Sequence, residues 1–185
     1  MNAKMSLYQD LDYVLLTEEE IKDGVKKLGE QLTQDYAGKR PLFICILRGS
    51  IVFFADLIRH VDLPLDVDSM AVSSYGSGTE TSGMIKMEKD LREDVAGRDV
   101  IIVEDIVDTG RTLYYLKADL EKRGVKSVKL VTLLDKPSRR QTEINADYAC
   151  FTIPDAFVVG YGLDFNEKYR NLPDIGVLHP RIYKD

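Results

Sequence analysis

The sequence predicts an α/β protein built on a central parallel sheet with helices on both faces. Two observations carry this. Short, continuous apolar runs alternate along the chain with segments of helical spacing, and a strand buried on both faces reads as such a run. Charged residues also stand where three of those runs end, at Arg48, at Glu104 to Asp108 and at Lys136. Right-handed crossovers bring the ends of parallel strands to one edge of a sheet, so the three charged ends are expected to meet there.

The first helix is announced by Thr17-Glu18-Glu19-Glu20, a capping-box pattern with Thr17 as N-cap and Glu20 three residues on. Ile21, Val25, Leu28 and Leu32 keep helical spacing behind it, which carries the helix to about Tyr36. Gly24 and Gly29 weaken it by about 1 kcal/mol each relative to Ala. Pro41 then opens a strand from Leu42 to Leu47, apolar throughout and therefore central. It ends at Arg48-Gly49-Ser50, and an apolar helix follows from Ile51 to about His60. Gly49 permits close backbone approach, and Arg48 reads as a phosphate contact or a solvated cation. The pair Gly49-Ser50 is not a P-loop, because the other glycine and the lysine of that motif are missing.

Asp66 to Tyr75 reads as a strand, and Met84 to Met87 as its returning hairpin partner. Between them Gly76 to Gly83 holds no apolar residue and reads as a plain loop or as a lid. Asp90 to Arg98 is charged and reads as a surface connection.

The stretch from Val100 to Leu113 organises the chain. Val100-Ile101-Ile102-Val103 is a buried strand, Glu104 and Asp105 stand together at its end, and Asp108 follows three residues later. Thr109-Gly110-Arg111-Thr112 then leads into a helical pattern carried by Leu113, Leu116 and Leu120 and capped near Arg123-Gly124. A glycine with hydroxyl residues at a helix N-terminus offers free backbone N–H groups to an anion, and the helix dipole favours it. The acids suit ribose hydroxyls, a hard cation such as Mg²⁺, or proton transfer. A phosphate cradle beside carboxylates points to a ribose phosphate as ligand.

Val125 to Leu134 is the next strand, and it ends in Asp135-Lys136-Pro137-Ser138-Arg139-Arg140. Lys136 can donate to a carbonyl oxygen as a compact charge. Arg139 and Arg140 are expected to face solvent or a partner subunit and are assigned no chemistry. Tyr148 to Ile153 reads as a strand. Phe157 reads as core or as a platform for a flat ring, Asp164 as a metal ligand or a turn residue. Asn166 to Tyr169 reads as a short helix carrying Arg170, and His60 and His179 as structural residues.

Length and composition bound the reading. The 185 residues suit a single domain over 1–185 with a real core. Lys+Arg number 25 and Asp+Glu 31, a net charge of −6. An acidic domain is a poor general binder of nucleic acid or of an anionic membrane, so any phosphate must be held locally. Cys45 and Cys150 lie in strand-like runs and read as buried, reduced thiols of a cytoplasmic protein. No stretch approaches the roughly 18 apolar residues of a membrane span. Met1 to Asp10 holds no apolar signal core.

Val103 to Thr112 resembles the phosphoribosyl-pyrophosphate signature of the type I phosphoribosyltransferases. Leu47-Arg48-Gly49-Ser50, Ser73-Ser74-Tyr75-Gly76-Ser77, Leu134 to Arg140 and Phe157 to Asp164 are similar, in the same order, to the hypoxanthine(-guanine) branch of that family. The likeness runs from about Leu42 to Arg170. It implies a hood formed by the N- and C-terminal segments, a flexible lid loop, Mg²⁺ as cofactor, and a homodimer or homotetramer. It further implies transfer of a phosphoribosyl group from phosphoribosyl pyrophosphate to hypoxanthine or guanine. The implied roles are specific. Glu104 and Asp105 hold ribose hydroxyls directly or through the metal, and with Ile106, Val107, Asp108, Thr109, Gly110, Arg111 and Thr112 they bind the sugar phosphate. Asp108 exchanges a proton with purine N7. Lys136 donates to the purine 6-oxygen, Phe157 stacks on the base, and the Val158 backbone reads its edge. Asp164 binds a second Mg²⁺, Arg48, Gly49 and Arg170 hold pyrophosphate, and Ser73, Ser74, Tyr75 and Gly76 belong to the lid. The resemblance also raises a cis peptide at Arg48–Gly49. The alternative class is a regulatory protein of the same fold that senses nucleotides and binds nucleic acid. It would need a basic face or an added DNA-binding unit.

Overall fold

The computed structural model describes residues 6–74 and 85–183. Its central sheet has six strands in the order β4-β3-β2-β5-β6-β7. These are β2 (Leu42–Leu47), β3 (Asp66–Ser74), β4 (Ile85–Lys89), β5 (Asp99–Val107), β6 (Ser127–Asp135) and β7 (Tyr148–Thr152). All neighbours pair in parallel except the edge hairpin of β3 and β4. From β2 the chain steps outward to β3, then returns to the other side of β2 with β5, β6 and β7. Strand order therefore reverses between β2 and β5, where open α/β sheets bind ligands.

Side chains along the central strands alternate between two cores. Phe43, Ile101 and Val103 pack with Ile21, Val25 and Leu32 of helix α1 (Glu18–Asp35) and Phe53 and Leu57 of α2 (Ile51–Ile58). Leu42, Ile44, Val100 and Ile102 face Leu113, Leu116 and Leu120 of α3 (Arg111–Lys122). Complete burial of such side chains contributes about 1.5–3 kcal/mol each. The connection over Asp90 to Arg98 is not wholly a surface segment, because Val95 is buried in this second core. The capping box forms as expected: Thr17 N–H donates to Glu20 Oε2 at 2.8 Å, and Glu20 N–H to Thr17 Oγ1 at 3.3 Å.

The hood is a separate antiparallel sheet in the order β1-β9-β8, from β1 (Leu11–Leu16), β8 (Val158–Val159) and β9 (Ile175–Leu178). Its middle strand, β9, pairs with β1 on one side and with β8 on the other. Leu178, Leu172, Tyr169 and Val159 form its own small core.

Three readings need correction, and the cis peptide left open at Arg48–Gly49 lies elsewhere. Asn166 to Tyr169 is not a helix: Asn166, Glu167 and Tyr169 have φ of 50°, 62° and 76°, a left-handed turn. The cis peptide is Leu47–Arg48, one bond before Arg48–Gly49. Cys150 is partly exposed where Cys45 is buried, and both thiols are free. Arg140 does not face solvent: its side chain is 11% exposed and bound inside the fold. The lid residues Tyr75 and Gly76 lie outside the described residues, while Ser73 and Ser74 end β3.

Candidate active site

Strand β5 carries the acids further than expected. It continues through Glu104, Asp105 and Ile106 to Val107, so the carboxylates stand within the last turns of an ordered strand. The Glu104 carboxylate accepts the Asp105 N–H at 3.2 Å, and the Asp105 carboxylate accepts the Ile106 N–H at 2.7 Å. Burial and then the Asp105 charge push the Glu104 carboxyl well above the usual carboxylate range. Burial also raises Asp105, partly offset by its bonds to Glu104 and Ile106 and by the Arg170 charge. Two adjacent acids held this way gain from a cation or from hydroxyl donors.

Across the switch point, the β2–α2 turn meets these acids backbone first. A Cβ at Gly49 would overlap Asp105 Oδ2. A Cβ at Gly162 (φ +103°) would in turn overlap the Gly49 carbonyl oxygen. Three segments distant in sequence thus converge because two of them lack a side chain.

The phosphate cradle follows β5. Gly110 (φ +80°) is the N-cap of α3, and a Cβ there would overlap Ile144 and Thr142. Thr109, Gly110 and Thr112 line a cavity of about 170 Å³ together with Glu104 to Asp108. The first turn of α3 points its free N–H groups toward an anion placed there. Arg111 opens the helix and is exposed.

Beside the cradle lies a second cavity of about 250 Å³, lined by Asp105, Ile106, Asp108, Lys136, Phe157, Val158, Leu163 and Asp164. Lys136 is buried, and its Nζ donates to the Ala156 carbonyl at 2.9 Å with Asp155 Oδ1 at 3.7 Å. Phe157 is 39% exposed, stacked on Tyr183 at 4.8 Å between centroids and edge-on to Phe165 at 5.6 Å. Val158 is buried in β8, where β9 fixes its backbone.

A cationic rim closes the far side. Arg170 donates to the Gly162 carbonyl at 2.8 Å and pairs with Asp164 at 2.9 Å and Glu167 at 3.3 Å. Arg48, largely exposed, reaches Glu167 at 3.2 Å. The left-handed turn over Asn166 to Tyr169 is what brings Glu167 between the two arginines.

All the predicted base, sugar and pyrophosphate residues therefore gather at one sheet edge. Arg139, Arg140, Asp155, Glu167 and Tyr183 were not foreseen. Arg140 carried one usable signal: Pro137 opens a single 3-10 turn, Pro137–Arg139, which turns the next side chain back over the strand end.

The phosphoribosyl transferase domain family matches residues 15–166. A hypoxanthine-guanine phosphoribosyltransferase of Lactococcus lactis is 56% identical over 178 residues, covering 96% of this chain and 97% of that protein. One from Streptococcus pneumoniae is 53% identical over 179 residues, covering 97% and 99%. The crystal structure of a hypoxanthine phosphoribosyltransferase from Staphylococcus aureus superposes with a TM-score of 0.94 at 50% identity, covering 100% of both chains. With this likeness along nearly its whole length, the chain belongs to the hypoxanthine-guanine phosphoribosyltransferases of the phosphoribosyl transferase family.

Proposed function

We propose that the protein salvages purines, joining hypoxanthine, guanine or both to the ribose of phosphoribosyl pyrophosphate and releasing pyrophosphate. The carrying observation is that Asp108, Lys136, Phe157 and Asp164 line one cavity that opens beside the Glu104–Thr112 cradle. We read residues 1–185 as a single phosphoribosyltransferase domain. No observation favours the nucleic-acid-binding alternative, and the net charge of −6 disfavours it.

In the reaction, purine N9 forms a bond to the anomeric carbon as the bond to the pyrophosphate oxygen breaks. The N7 proton passes to the Asp108 carboxylate, which keeps N9 nucleophilic. Lys136 donates to the 6-oxygen, a contact that a 6-amino purine cannot accept. Phe157 supports the flat face of the base, braced behind by Tyr183. Backbone N–H groups of Thr109 to Thr112 hold the 5′-phosphate. Glu104 and Asp105 orient the ribose hydroxyls while an oxocarbenium-like state develops at the sugar, as in glycoside chemistry. Arg48, Gly49 and Arg170 meet the leaving pyrophosphate, whose charge arginines stabilise well. Ser73 to Gly83 serve as the lid that excludes water during transfer.

We assign one Mg²⁺ to Glu104 and Asp105 and a second to Asp164. Among the described residues no three acids, cysteines or histidines converge on a single point. The donor set suits a cation that keeps water and substrate oxygens as most of its ligands, which is how Mg²⁺ is commonly held. When bound, the ion neutralises negative charge building on pyrophosphate.

For assembly we propose a homodimer or homotetramer. Ile51 and Val67 are 51% and 55% exposed and flank a groove of about 340 Å³ that also involves Leu47 and Phe54. Light scattering of the purified chain checks this. No helix among the described residues is long and apolar enough to cross a membrane. The two free thiols suit a reducing compartment, and we place the protein in the cytoplasm.

Pyrophosphate release with hypoxanthine, guanine, xanthine and adenine, each with and without Mg²⁺, tests the reading. Release is expected with a 6-oxopurine and Mg²⁺. No release with any 6-oxopurine in the presence of phosphoribosyl pyrophosphate and Mg²⁺ overturns it.

A further inference from the structure

We propose that Arg140 is a positioning residue for Asp108: its buried guanidinium holds the backbone of the proton-transferring residue against the end of β6. The inference rests on the reading of Asp108 given above. Nη1 of Arg140 donates to the Asp108 carbonyl oxygen at 2.8 Å, and Nη2 pairs with the Asp135 carboxylate. Asp135 is the last residue of β6, and its neighbour's N–H, that of Lys136, donates to the Val107 carbonyl at 3.0 Å. One side chain thereby ties the first residue after β5 to a rigid strand end.

The segment that follows Arg140 extends the hold. Gln141 N–H donates to the Thr109 carbonyl at 2.9 Å, and Arg140 Cδ lies 3.1 Å from where a Cβ on Gly110 would stand. Residues 140–142 thus form the rear wall of the loop from Asp108 to Gly110. On the open side, Asp108 Oδ1 is itself buried without a hydrogen-bond partner, with Arg139 Nε at 3.5 Å. Arg139, itself half exposed, meets that carboxylate only as a loose ion pair, so the firmer hold on Asp108 is the one Arg140 makes through its backbone. A buried Arg with a neutral carbonyl and a carboxylate as partners is a bidentate brace that Lys cannot reproduce at both ends.

The test uses Arg140→Lys, Arg140→Met and Asp135→Asn in the full chain, with steady-state kinetics and thermal unfolding measured together. We expect kcat to fall about 10- to 100-fold, as for a misplaced catalytic group, with the KM for phosphoribosyl pyrophosphate within roughly threefold. Arg140→Lys should retain more activity than Arg140→Met, and Asp135→Asn should show a smaller fall of the same kind. A double variant with Asp108→Asn provides the readout that a merely structural role would not move. If Arg140 acts through Asp108, adding Arg140→Lys to Asp108→Asn lowers kcat no further. Kinetics within twofold of the parent in Arg140→Lys and Arg140→Met overturn the proposal. So do losses that simply multiply in the double variant, or a fall in kcat that tracks loss of folded protein. Near-normal turnover in Asp108→Asn alone would instead remove the proton-transfer reading, a distinct outcome.

Discussion

Gly49 and Asp105 touch across the switch point with no room for a methyl group between them: a Cβ on Gly49 would overlap the Asp105 carboxylate. The glycine is therefore a condition for the acid's position. Gly49→Ala must either turn the Asp105 side chain away or push back the β2–α2 turn. We expect kcat/KM to fall by about 10²-fold or more while the protein stays folded, since the site depends on sub-ångström placement. Steady-state kinetics beside circular dichroism check this.

Asp108→Asn keeps the size of the side chain and removes its capacity to take a proton. Turnover is expected to fall about 10²- to 10⁴-fold. Binding of phosphoribosyl pyrophosphate, measured by calorimetry, should be largely intact, because Thr109 to Thr112 and the acids of β5 remain. Near-normal turnover would take the proton-transfer role from Asp108.

Lys136→Ala removes the donor to the 6-oxygen and takes from the Ala156 carbonyl its Nζ donor. The KM for hypoxanthine or guanine should rise, and the preference over adenine should narrow. Competition between the two bases in one assay reads this directly, and unchanged discrimination would sink the role given to Lys136.

Part of the pH response of stability is carried by acids remote from the site. The Arg98 guanidinium, donating at 2.5 Å, holds Asp66 below its usual carboxylate value, helped by Arg40 at 2.6 Å. Asp90 is lowered likewise by Arg123, and Asp99 by Ser127 and Lys126. A carboxylate depressed in the folded state binds fewer protons there than in the unfolded chain. Its stabilisation is full above the unfolded value near 3.8 and drains as the pH falls through the folded value. The melting temperature of Asp66→Asn should lie below that of the parent at about pH 7, and the gap should close below about pH 4. A gap that persists in acid would refute this account.

The central sheet and the heart of the site were legible because they are local. β2 and β5 are short apolar runs, and the chemistry of Glu104 to Thr112 sits in adjacent residues. The hood strands were not. β1 is half exposed, and β9, though buried throughout, is only four residues long and pairs with β1 across more than 150 residues. The helix expected over Asn166 to Tyr169 failed because reciprocal backbone hydrogen bonds between Phe165 and Lys168, with the Glu167 N–H donating to Asp164, close a left-handed turn instead. Arg140 was misread for a related reason. A charged residue beside Arg139 resembles a solvated pair until a 3-10 turn directs one inward and leaves the other at the surface.

The position of β9 in the middle of the hood sets an order of events during synthesis. Val158, whose backbone is to read the base, acquires its strand partner Val177 only after residues 175–178 have left the ribosome. The same four residues anchor β1, made more than 150 residues earlier. A nascent chain reaching the end of β7 already holds the sugar-phosphate cradle but has no fixed edge for a purine. The turn from Glu104 to Thr112 is thus made before the segments that carry Val158, Asp164 and Arg170, and the hood side of the site is the last to be anchored.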